Sequence, residues 1–146
     1  MPGPTASLKA TQTLNHLKEA YQREAQANMR YHFSARMADM ARHTANVAQV
    51  LRAAADEEKG HALGFLDLLV EHGAEVPEIV CGKLEDDLKA AIEAELHEFG
   101  TLYTRYAEVA AQEGFPEIAR WFLELAKTGR THALWLQQCL DGLEKS

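Results

Sequence analysis

Cysteine is nearly missing from this chain. Its 146 residues hold two, Cys81 and Cys139, and no Cys-x-x-Cys pair. That excludes a four-cysteine zinc or iron site within these residues. No disulfide is needed, and a reduced, cytoplasmic protein is the simpler expectation. Positive charge is also scarce. Lys and Arg number 15 against 22 Asp and Glu, for a net charge of −7. No basic patch stands ready to neutralise phosphates, so nucleic acid is not an expected partner. No apolar run approaches the roughly 20 residues that span a bilayer. The opening MPGPTAS lacks an apolar export segment, so neither a membrane nor export is expected. Proline and glycine are few, 4 and 9, and grouped, which leaves room for long helices.

What remains is rich in Ala, Leu, Glu, Gln and Arg. The pattern predicts helices over 8–41, 45–71, 84–112 and 116–143. Residues 1–7 are expected to form a disordered tail, and 8–143 one domain. Gly114-Phe115-Pro116 predicts a tight turn that makes the last two helices antiparallel. Thr44 is the expected N-cap of the second helix. The dozen residues HGAEVPEIVCGK (72–83) suffice to return along a bundle and start the third helix parallel to the second. The fold expected is all-α, a ferritin-like four-helix bundle of two helical hairpins joined by a long crossover.

An internal repeat supports this. An offset of 71 residues relates Glu24 to Glu95, Ala48 to Ala119, His61 to His132, Ala62 to Ala133 and Leu63 to Leu134. Two copies are too few for a solenoid and suit a pseudo-twofold bundle. Steps of four and three then trace an inward stripe on each helix. The stripes read Leu14, Leu17, Tyr21, Glu24, Tyr31, Ala35; Val47, Leu51, Ala54, Glu58, His61, Phe65, Leu68; Leu84, Leu88, Ala91, Glu95, Glu98, Leu102; and Ile118, Phe122, Leu125, Gly129, His132, Leu136, Cys139. Each is apolar at its ends and polar in the middle. Four glutamates and two histidines are thus expected to share one level in the interior.

Unpaired buried carboxylates cost several kcal/mol each, and close neighbours repel. No Lys or Arg lies on these stripes to balance them. Two divalent cations would, with both imidazoles neutral. Oxygen-rich ligation with one imidazole per metal suits iron or manganese better than structural zinc. Glu-x-x-His, as in Glu58-x-x-His61, sets both ligands on one helical face, as in carboxylate-bridged di-iron bundles. Taken alone, each glutamate reads as a solvated boundary residue and each histidine as a hydrogen-bonded core residue. Tyr31 has two readings, a hydrogen-bond donor to a ligand carboxylate or a packed core residue. Met29, Met37 and Met40 read as packing residues. His16, His32, His43, His72 and His97 fall off the stripes or near helix ends and carry no expected chemistry.

Together these residues resemble the rubrerythrin family. The resemblance rests on Glu24-Ala-Gln-Ala with Arg30-Tyr31, Glu58-Lys-Gly-His61-Ala, Ala91-Ile-Glu-Ala-Glu95 with Glu98, and His132. It covers about residues 11–143 and is a resemblance to the short, erythrin-like members without a rubredoxin domain. It implies a non-haem di-iron site that reduces hydrogen peroxide with electrons from an external donor such as a rubredoxin-like protein. Two irons per chain are implied, with manganese or zinc as substitutes. Glu24 and Glu95 would be terminal ligands and Glu58 a bridge. Glu98 and His61 would alternate on one iron, and His132 would bind the other. Glu58, Glu98 and His61 would carry the catalysis. The implied assembly is a homodimer, with or without exchange of helices.

One position departs from the family pattern. The second bridging glutamate is replaced by Gly129, and neither Glu124 nor Lys127 stands where it could substitute. A glycine in a helix interior costs about 1 kcal/mol relative to alanine, which points to something else needing the room. Three explanations stay open: water, hydroxide or a small anion fills the gap; the second metal site is weak or empty; or the redox chemistry is lost and the fold kept. The alternatives to a peroxide reductase are accordingly a metal-binding bundle for iron handling or structure, and a metal-free helical interaction module.

Overall fold

A computed structural model describes residues 7–42, 46–76 and 84–145. The chain is all-α. It forms two compact units, Met1–Val76 and Pro77–Ser146. In the first, α1 (Gln12–Met40) packs on α2 (Val47–Glu71). In the second, α3 (Leu84–Glu95), a π-helical segment (Leu96–Leu102) and α4 (Tyr103–Gln112) follow one another and pack on α5 (Pro116–Glu144).

Local chemistry sets the ends. The first helix starts at Gln12 rather than at residue 8, because Ala10 has a positive φ of 60° that no helix accommodates. Thr11 is the cap: its hydroxyl oxygen accepts from the Leu14 N–H at 3.2 Å and its O–H donates to the Leu8 carbonyl at 2.7 Å. Thr11→Ala is expected to cost about 1 kcal/mol in urea unfolding; no loss would show the cap to be idle. Arg42, at φ 53°, closes α1. Thr44 lies outside the described residues, and Asn46, which precedes α2, makes no side-chain cap bond. At the other end of α2, Gly73 sits at φ 70° and the Ala74 N–H reaches back to the Leu69 carbonyl at 2.9 Å. This left-handed closure favours glycine. Of the expected crossover, 77–83 also lie outside the described residues. The turn before α5 is the one predicted: Gly114 has φ 91°, the Phe115 N–H bonds the Ala110 carbonyl at 2.8 Å, and Pro116 opens α5.

The packing seams differ from the expected stripes by about one residue. In α2 the buried positions are Ala55, Ala62 and Leu69; in α5 they are Ala119, Ala126, Gly129, Ala133 and Leu140. Apart from Gly129 these repeat every seven residues, and Ala55, Ala62 and Leu69 map onto Ala126, Ala133 and Leu140 through the 71-residue offset. Small residues let two helices approach closely, so alanines take the contact line and the bulkier stripe runs beside it. Val47, Leu68, Leu84 and Ile118, expected inside, are accordingly exposed. Met29, Met37 and Met40 are likewise exposed rather than packed, because α1 meets α2 along Ala27 and Ala35.

Candidate metal centre

Each hairpin carries a carboxylate facing an imidazole. In the first, α1 supplies Glu24 and one turn of α2 supplies Glu58 and His61. His61 Nδ1 lies 3.6 Å from Glu24 Oε2 and 3.5 Å from Glu58 Oε2. One ligand atom from each of the three falls within 4.8 Å of the others. In the second hairpin, His132 Nδ1 on α5 lies 3.5 Å from Glu95 Oε1 at the end of α3. The two imidazole–carboxylate pairs are related by the 71-residue offset, so the repeat has preserved a geometry along with the residue types.

These separations exceed a good N–H···O hydrogen bond. They approach the roughly 3.0–3.4 Å between neighbouring ligand atoms set about 2.1 Å from a shared cation. Glu24 Oε2 and Glu95 Oε2 are closed off from solvent yet accept no hydrogen bond. A buried carboxylate oxygen without a donor is unfavourable, and a divalent cation would satisfy it. The donor set of the first hairpin therefore fits such an ion. The site residues are less deeply buried than expected: the carboxylate side chains are 25 % exposed at Glu24, 23 % at Glu58 and 21 % at Glu95, and the imidazoles stand out further, at 59 % for His61 and 43 % for His132. Among the described residues no charged side chain is fully buried. Tyr31 does not serve Glu24 Oε2, which accepts from no described residue; Arg30 stacks over its ring at 5.8 Å.

Glu98 is half-buried and lies in the π segment that begins directly after Glu95. Interruptions of this kind recur at functional sites because the wider turn re-aims the side chains that follow. Here it brings Phe99 onto α5. A Cβ built on Gly129 would stand 2.5 Å from Phe99 Cγ, 3.0 Å from Cδ2 and closer still to its Cβ. The room expected beside Gly129 is filled by an aromatic ring. Phe99 packs edge-on against Tyr103, ring centroids 4.9 Å apart, and Tyr103 against Phe122 at 5.3 Å. Sequence reasoning missed Phe99; the one signal pointing to it was the glycine itself.

Paired helices with Glu–His ligand groups, repeated along an all-α chain, define the ferritin-like class of carboxylate metal proteins. The family model for rubrerythrin matches residues 15–140. The chain belongs to the rubrerythrin family. A rubrerythrin of Porphyromonas gingivalis is 36% identical over 130 residues, 86% of this chain and 64% of that protein. The rubrerythrin of Clostridium perfringens is 33% identical over 134 residues, 86% and 68%. A putative rubrerythrin of Methanocaldococcus jannaschii is 33% identical over 122 residues, 74% and 59%. The chain thus spans about two thirds of the length of these curated relatives. Membership implies di-iron binding. No helix among the described residues is long and apolar enough to cross a membrane.

Proposed function

We propose that the protein is a non-haem di-iron oxidoreductase that reduces hydrogen peroxide. The observation that carries this reading is the duplicated carboxylate–imidazole pair with a sealed, donorless oxygen in each copy, Glu24 Oε2 and Glu95 Oε2. Glu24, Glu58, His61, Glu95, Glu98 and His132 are the proposed ligands for two irons per chain. When bound, iron supplies the electrons that turn one peroxide and two protons into two waters, and a one-electron carrier of the rubredoxin class returns them. The carboxylates hold the imidazoles in place and pass protons to the departing oxygen. Apolar side chains exposed on both hairpins, among them Phe33, Trp121 and Trp135, support a homodimer, and we place it in the cytoplasm.

Anaerobic ferrous protein is expected to be oxidised by about one equivalent of peroxide and restored by a one-electron reductant. An absorption spectrum indifferent to peroxide would end the enzymatic reading. The Phe99 ring over Gly129 favours a second one, a metal-binding protein with one full and one weakened site and no turnover. It predicts metal uptake, added thermal stability and no peroxidase activity with any donor.

A further inference from the structure

We infer that Phe99 sets the metal-binding asymmetry of this chain: paired with Gly129, it takes the volume that a carboxylate at 129 would need. The inference rests on the metal-binding reading above. The 71-residue offset makes the comparison internal. Position 58 is glutamate and its counterpart 129 is glycine; position 28 is asparagine and its counterpart 99 is phenylalanine. In the first hairpin Asn28 Nδ2 donates to the Ala55 carbonyl at 2.7 Å, one turn before Glu58, and the glutamate keeps its place beside His61. In the second, the larger residue at 99 lies on the smaller one at 129. The two changes compensate across the helix contact, and the outcome is a three-donor cluster in one hairpin and the pair Glu95–His132 in the other.

Phe99 cannot simply swing aside. Its ring is held by Tyr103, which is held in turn by Phe122. The atom nearest the built Cβ is Phe99 Cβ itself, fixed to the backbone. Phe99→Ala therefore leaves the clash in place, and only glycine at 99 makes room for a side chain at 129. The Glu95–His132 pair consequently binds its ion more weakly than Glu24, Glu58 and His61 bind theirs.

Cobalt(II) titration of the metal-free, full-length chain tests this, with melting of the same apo samples as a second readout. The wild type should bind one ion tightly and a second at least about 10-fold more weakly. Phe99→Gly/Gly129→Glu should tighten the second ion at least about 10-fold, whereas Phe99→Gly alone should not. In the apo protein, Gly129→Ala should lower Tm, and adding Phe99→Gly should recover part of that loss, a coupling that needs no metal. Two ions held equally by the wild type, or a second ion tightened by Gly129→Glu alone with unchanged Tm, would overturn the inference. A wild type that binds no cobalt would overturn the metal-binding reading itself, while the melting cycle would still report whether Phe99 and Gly129 exclude each other.

Discussion

Glu58→Ala is expected to release the first hairpin's ion and, with it, the stability that the ion confers. Glu58 is one of three donors gathered within 4.8 Å. Removing it leaves two of those three donors, Glu24 and His61, on different helices. A ligand held at 100 times its Kd stabilises the folded state by about 2.7 kcal/mol. A 100-fold weakening at the same concentration leaves about 0.4 kcal/mol, so the holo variant should lose roughly 2.3 kcal/mol. The metal-free protein should behave oppositely. Two carboxylates near one imidazole repel without a cation, so apo Glu58→Gln should melt at or above the wild-type temperature. Thermal unfolding of each variant, both with chelator and with excess metal, separates the two signs. An equal loss under both conditions would make Glu58 a packing residue and dissolve the metal cluster.

Ala126→Leu should be the most damaging change away from the ligands and Gly129. Ala126 is 0 % exposed on the contact line of α5, where alanine at every seventh position lets the helices lie close. Three added carbons have no space, so the helices must part or the side chain must leave its rotamer. Overpacking of this kind costs about 1–3 kcal/mol, and the narrow seam places it near the upper end. The matching drop in Tm is about 4–8 °C for each kcal/mol in a small unit. Glu124→Leu, at an exposed position of the same helix, should stay within about 0.5 kcal/mol. Urea midpoints of the two variants check this; equal midpoints would mean that the seam is not tightly packed.

Much of this was legible in the residues. Sparse glycine and proline placed four helical stretches, and their ends fell within a few residues of the observed ones, because capping and left-handed closure are local. Glu58-x-x-His61 put two candidate ligands on one face through helix periodicity alone, and the offset of 71 carried Glu24 and His61 onto Glu95 and His132. The contact lines were less legible. Alternating steps of four and three track the bulkiest apolar side chains, yet the helices meet along the smallest, so Ala62, Ala126 and Ala133 were passed over for their larger neighbours. The π segment left no mark in Leu96–Leu102 that a local rule detects.

By itself the sequence determined the helices, most of their termini to within a few residues, the duplicated hairpin and the candidate ligand types, since each depends on neighbours within a turn or on a period counted along the chain. Only the tertiary structure decided how closely α5 approaches the helix before it, which oxygens of Glu24 and Glu95 are cut off from water, and that an aromatic ring fills the room beside Gly129. Those outcomes follow from distances between residues some thirty positions apart, such as Phe99 and Gly129, which no periodicity encodes.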